Sequence, residues 1–227
     1  MNPVVLKNVA KIYHLDAVAV PALSDINLEI RANCFTVISG PSGSGKTTLL
    51  NLIGCIDRPD HGEVLVAGQD INRLSDDALS DFRAHHLGFI FQNFNLLPVL
   101  TTYENVEYPL LLSKMPAAER RQRVLALLDA VGLSERAQNR PGQLSGGQRQ
   151  RVAIARALAS SPKLVLADEP TANLDSQTAQ GIIELMLTLN RVESVTFIFA
   201  THDPRVMQRA SRMVEISDGQ IVDHGKQ

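Results

Sequence analysis

Apolar and polar positions alternate with period two over residues 4–13 and again over 26–30, the pattern of half-buried strands. The run Cys34-Phe35-Thr36-Val37-Ile38-Ser39 does not alternate. Nearly every residue in it is apolar or β-branched, so it reads as a central strand covered on both faces. It runs straight into a glycine-rich loop, after which 47–53 reads as a helix stopped by Gly54. Residues 63–66 read as a strand ending in the turn Ala67-Gly68, and 87–91 as a short strand leading to Gln92. The texture then changes. Val124, Leu127, Leu128 and Val131 fall at helical spacing and Gly132 is a natural cap, which marks an α-helical insert at about 93–147. Beyond it come helix 148–159, strand 164–168, helix 178–190 and strand 195–200. That alternation predicts a parallel sheet covered by helices. Residues 213–217 and 220–222 flank Asp218-Gly219, a hairpin signal. The expectation is one α/β domain over 1–227.

Composition narrows the function. A chain of 227 residues with 44% hydrophobic content and a formal charge of −2 suits a soluble globular protein. There is no basic excess of the kind nucleic-acid surfaces carry, so nucleic acid is not an expected partner. Arg120, Arg121 and Arg123 read as a solvated helix face. Cys34 and Cys55 lack metal-ligand spacing and read as reduced thiols. The start, Met1-Asn2-Pro3-Val4, shows no basic segment followed by an apolar stretch, so no signal peptide is expected. No apolar run approaches the ~20 residues of a membrane span, so the chain is not expected to form a pore by itself.

The chemistry sits in five motifs. Gly40-Pro41-Ser42-Gly43-Ser44-Gly45-Lys46-Thr47 follows a buried strand and opens a helix. Its glycines let successive N–H groups curl around phosphate oxygens, and the helix start adds its positive end. Lys46 supplies a charge between β- and γ-phosphates, and Thr47 a hydroxyl for Mg²⁺. Thr48 belongs to the same nucleotide-binding stretch. Leu164-Val165-Leu166-Ala167 holds Asp168 and Glu169 at the end of a sheet strand. Asp168 is expected to hold Mg²⁺ through a water, and Glu169 to polarise the attacking water as general base. His202 also ends an apolar strand and is expected at the γ-phosphate. His14, His61, His85, His86 and His224 have no such context. Leu144-Ser145-Gly146-Gly147-Gln148 has capping logic: Ser145 caps the following helix and two glycines expose its first N–H groups. From spacing alone this is either an ordinary capped helix or an anion site for another molecule's ATP.

At these motifs the chain resembles the nucleotide-binding subunits of ABC transporters, over essentially its whole length. The resemblance implies a P-loop NTPase (RecA-like) core with an antiparallel β subdomain and an α-helical subdomain, ATP and Mg²⁺ as cofactors, and hydrolysis to ADP and phosphate. It gives Tyr13 the adenine-stacking role, Gln92 the Q-loop role at nucleotide and Mg²⁺, and Asn173-Leu174-Asp175 the D-loop role. It implies two copies packed head to tail, with Ser145, Gly146, Gly147, Gln148 and Asp175 acting in trans on the partner's ATP. Residues 88–98 with Thr101 and Glu104-Asn105-Val106, and also 54–59, are similar to the LolD/MacB branch, to which FtsE is related. This implies a separately encoded transmembrane permease, export or release, and a peripheral place on the cytoplasmic face of the inner membrane. Phe94, Leu96, Leu97, Pro98 and Val99 are expected either to form the permease groove or to be core of the insert. Two other readings use the same motifs: an FtsE-like regulator of a cell-wall enzyme, and a soluble ABC ATPase acting on DNA or ribosomes.

Overall fold

Two sheets enclose one apolar core, and a second core lies on the far face of the larger sheet. The computed structural model describes residues 2–15 and 18–223, so His224 lies outside them. In chain order the first elements are β1 (Val4–Leu15), β2 (Val18–Ile30), β3 (Phe35–Ser39), α1 (Lys46–Ile53), β4 (His61–Val66) and β5 (Gln69–Asp70). Next come α2 (Asp76–His86), β6 (Leu87–Ile90), α3 (Thr102–Glu107), α4 (Ala117–Ala130) and α5 (Gly146–Leu158). The chain finishes with β7 (Leu164–Asp168), α6 (Ser176–Val192), β8 (Thr196–Ala200), α7 (Pro204–Met207), β9 (Arg212–Ser217) and β10 (Gln220–Asp223). β2-β1-β4-β5 form an antiparallel sheet. The larger sheet has the order β10-β9-β3-β8-β7-β6, parallel except for the β10 edge.

The continuous apolar strands follow from burial on both faces. Along β7, Leu164 and Leu166 join the core shared with the small sheet and α1, while Val165 and Ala167 join the core under α5 and α6. Phe35 and Val37 of β3 face that second core too, and Ile38 faces the first. Burying side chains of this size stabilises the fold by about 1.5–3 kcal/mol each. The parallel strands thereby all end at one edge, which fixes where Ser39, Asp168 and Ala200 hand over to the loops that follow.

Three departures have local causes. β2 starts eight residues before the expected 26–30. Left-handed Asn8 (φ 49°) and Asp25 (φ 50°) interrupt the alternation, and the β1–β2 register shifts between Leu6 and Val9. α2 was not foreseen, because it buries only Leu79 and has no apolar stripe; its signal is the Ser75 cap with Asp76 and Asp77 in the first turn. α5 begins two residues before the expected start at 148. Between 102 and 143 every regular element is helical. The Asp218-Gly219 turn joins β9 and β10 as expected, with both residues left-handed.

Candidate nucleotide site

A cleft of about 400 Å³ opens where β3 and β7 end. It is lined by Tyr13, Val20, Pro21, Ala22, Ser42, Gly43, Gly45, Lys46, Thr47, Thr48, Gln92, Asp168 and Glu169. β3 delivers the chain into the loop at Gly40, whose φ of 151° and closeness to Ile216 both demand glycine. A β-carbon there would collide with the Ile216 carbonyl. α1 starts at Gly45 with no side-chain cap. By helix geometry its first amides lack intrahelical partners, and Lys46, Thr47 and Thr48 line the cleft. The Lys46 ammonium folds back onto the carbonyls of Gly40 (2.9 Å) and Pro41 (2.8 Å). Ser44 Oγ is buried without a hydrogen-bond partner.

Across the cleft, Thr47 Oγ1 donates to Asp168 Oδ2 at 3.3 Å. Burial pushes the Asp168 carboxyl up from its ordinary value; the Thr47 hydroxyl offsets part of this and the neighbouring Glu169 charge adds to it. Glu169 has φ 45°, an uncommon conformation for a non-glycine residue. Its amide donates to the Ala200 carbonyl at 2.9 Å, which fastens β7's exit to the end of β8. His202 Nδ1 lies 2.6 Å from Glu169 Oε1, with the imidazole itself largely exposed. Gln92 is exposed, and its carbonyl accepts from Asn173 Nδ2 at 3.1 Å.

Tyr13 sits at the other end of the cleft, 36% exposed. Its hydroxyl donates to Asp57 Oδ2 at 3.0 Å, and Lys11 Nζ lies 5.3 Å from the ring centre. Lys11 also pairs with Asp57 at 2.8 Å. Sequence reasoning missed the roles of Asp57, the Val20-Pro21-Ala22 wall and Thr201. Asp57 falls within the 54–59 stretch that resembles the LolD/MacB branch, but nothing there marks it as a partner of Tyr13, and the one signal for Thr201 is its place next to His202.

The capped helix forms as expected. Ser145 Oγ accepts from the Gln148 amide (3.3 Å) and Gln148 Oε1 from the Ser145 amide (2.9 Å), a closed capping box. Gly147 must be small, since a β-carbon would run into the Thr178 side chain. Ser145, Gly146, Gly147, Gln148 and Asp175 do not line this cleft. Asp175 instead caps α6, accepting from the amides of Gln177 and Thr178.

The segment expected at a partner groove divides. Leu96 packs on the core, whereas Leu97, Pro98 and Val99 are exposed. The Phe94 ring lies under Arg149, 5.1 Å from its guanidinium carbon. A groove of about 380 Å³ does lie alongside, but of residues 94–99 only Asn95 lines it. Its apolar wall is Phe89, Phe91, Tyr108, Pro109 and Leu112. These residues come from β6, from Phe91 directly after it, and from the turn after α3, which is why no single stretch of sequence announces the groove.

The donor set fits a nucleoside triphosphate with a divalent ion. Uncapped amides and an ammonium suit phosphate oxygens. Among the described residues no three His, Cys, Asp or Glu side chains form a metal cage. A Mg²⁺ ion commonly takes one or two protein ligands plus phosphate oxygens and water, and the facing Thr47 and Asp168 oxygens match that need.

Comparison with known proteins agrees. Residues 23–172 match the family described as ABC transporter. An uncharacterized ABC transporter ATP-binding protein, YvrO of Bacillus subtilis, is 48% identical over 96% of this chain and 94% of its own length. The macrolide export ATP-binding/permease protein MacB of Brucella melitensis is 47% identical over 96% of this chain, which spans only 33% of that protein. The dimeric, post-hydrolysis structure of the ATP-binding cassette MJ0796, bound to ADP and Pi, superposes with a TM-score of 0.89 at 45% identity, covering 98% of both chains. A Clostridium perfringens cassette, cbiO1, described as part of the ABC transporter complex cbiONQ, reaches 0.89 at 28% identity over 99% of this chain and 88% of its own. Agreement of this depth in sequence and backbone makes the chain a member of the ABC transporter family, as one of its ATP-binding cassettes.

Proposed function

We propose that the chain is the ATP-hydrolysing motor subunit of an ABC transporter, acting as an ATP-joined pair of identical copies on a separate membrane permease. The observation that carries this is a division of labour. One cleft gathers Lys46, Thr47, Gln92, Asp168 and Glu169, while the residues around Ser145 lie off it. Two copies facing head to tail bring each Ser145 helix start to the other copy's γ-phosphate.

In that pair the amides of Gly43–Thr48 and the Lys46 charge bind the triphosphate, and Tyr13 stacks on the base. Lys46 turns from its own loop carbonyls to the β- and γ-phosphates. Mg²⁺, when bound, would neutralise phosphate charge during transfer, and Thr47, Gln92 and Asp168 are the residues that would hold it, Asp168 through a water. Glu169 takes a proton from the attacking water, and His202 holds the water and the γ-phosphate in line. Ser145, Gly146, Gly147, Gln148 and Asp175 complete the partner's site.

Among the described residues no helix is long and apolar enough to cross a membrane. The coupling therefore needs a partner, and the groove beside Gln92 fits one. Tyr108 and Leu112 line it and expose apolar surface, Leu112 to 75%, with the exposed Leu111 beside them. We place the cassette on the cytoplasmic face of the membrane, driving export or release. MacB's name joins ATP-binding and permease functions, and this chain matches a third of that protein.

Glu169→Gln removes the base but keeps the shape. Turnover is expected to fall by roughly 10²–10⁴-fold, with ATP binding kept and an ATP-dependent dimer trapped on light scattering. A variant that stays monomeric in saturating ATP would overturn the paired arrangement.

A further inference from the structure

We infer that Thr201 is a positioning residue for Glu169, joined through Asp203 to the loop that leads toward Asp175. This rests on the reading of Glu169 as the base. Thr201 is fully buried. Its Oγ1 donates to Glu169 Oε2 at 2.7 Å and accepts from the Asp203 amide at 3.0 Å. Both carboxylate oxygens of Glu169 are thus held by consecutive residues, Oε2 by Thr201 and Oε1 by His202.

The two holds differ in kind. The His202 ring is 79% exposed, so it is free to swing toward a bound nucleotide. Thr201 has neither the room nor a second rotamer-rich group to do so. β-branching limits its χ1, and the Asp203 amide fixes which lone pair it uses, leaving its proton for Glu169. When His202 leaves Oε1 for the γ-phosphate, Thr201 still sets the carboxylate plane. A carboxylate offers about four lone-pair sites, so one fixed donor leaves room for a water to be held and deprotonated.

The chain of contacts continues outward. Asp203 accepts from Thr171 Oγ1 at 2.7 Å and pairs with Arg205 at 2.7 Å. Arg205 Nη1 reaches the Ser176 carbonyl at 3.4 Å, directly after Asp175. Thr171 is itself buried. A displacement of the 171–175 loop, such as a second copy would impose, is passed to Asp203 and from there to the hydroxyl that orients the base.

Thr201→Val keeps the shape and removes the hydroxyl; Thr201→Ser keeps the hydroxyl. In the full chain, T201V is expected to lower kcat roughly tenfold, the effect of one charge-assisted hydrogen bond, with KM for ATP unchanged and the melting temperature lowered by a few degrees because the Asp203 amide loses its acceptor. T201S is expected to recover most of kcat. Wild-type kcat in T201V overturns the inference, as does equal damage in T201S, or a fall of kcat accompanied by a comparable rise in KM. Should T201V not fold, Thr171→Val decides: a loss of roughly threefold in kcat at constant KM supports the chain of bonds, and an unchanged kcat overturns it. An inactive E169Q beside a fully active T201V would sink only this inference, whereas an active E169Q would sink the function reading beneath it.

Discussion

Helices α1 and α5 both start beside glycines, Gly45 for one and Gly146-Gly147 for the other, yet they are finished differently. α1 starts at Gly45 with no side chain over its N-terminus. α5 is closed by its own residues, Ser145 and Gln148 bonding each other's amides in both directions. An uncapped start inside a cleft keeps its amides for a ligand. The box on α5 occupies the Ser145 and Gln148 amides and leaves those of Gly146 and Gly147 without a side-chain cap. In the proposed pair, α1 binds phosphate within one chain, while α5 offers its glycine amides to the phosphate of the other copy.

The largest expected effect tests the open helix. Among the described residues lining the cleft, Lys46→Ala removes the sole ammonium and leaves the α1 amides to hold the triphosphate alone. ATP affinity is expected to weaken by at least about thirtyfold, read by titration with a fluorescent nucleotide. Unchanged affinity would mean that the phosphates lie elsewhere. The capped helix predicts the opposite pattern. Ser145→Ala breaks the box, at a cost of about 1 kcal/mol of stability, and leaves ATP affinity of the single chain intact. Turnover is expected to fall about tenfold, the equivalent of one lost phosphate contact. If S145A weakened nucleotide binding as K46A does, the two helix starts would serve the same cleft and the distinction would collapse.

The same contrast explains what the sequence alone discloses. Residues 40–47 carry their chemistry contiguously, because a phosphate loop is made of consecutive amides. The strands leading to Asp168 and His202 are equally plain, since burial on both faces demands unbroken apolar runs. Contacts made only by folding are not visible this way. The Tyr13–Asp57 bond spans 44 residues and the Thr201–Glu169 bond 32, and neither pair has a spacing rule. β2 hides behind bulges at Asn8 and Asp25, and α2 behind its single buried leucine. The groove is invisible for the same reason, its wall being assembled from β6, Phe91 and the 108–112 turn.

A third helix start gives the smallest and most easily titrated effect. Asp203 caps α7 with a charged group, accepting from the Arg205 amide at 2.9 Å. The Arg205 guanidinium, helped by the Thr171 hydroxyl against the cost of burial, holds its carboxyl down to about 2, below the ordinary 3.8. The folded chain therefore gives up this proton more readily than the unfolded one. The resulting stabilisation is complete above about pH 4 and disappears as pH falls through about 2. Asp203→Asn cannot ionise, so its denaturant midpoint is expected to lie below wild type at neutral pH and to approach it as the pH falls from about 4 toward 2. The neutral box at Ser145 has no such proton to lose, so the S145A deficit is expected to stay constant over that range. Parallel pH curves for D203N and wild type would show that the Asp203–Arg205 pair is too well solvated to matter, and that α7 is capped by geometry alone.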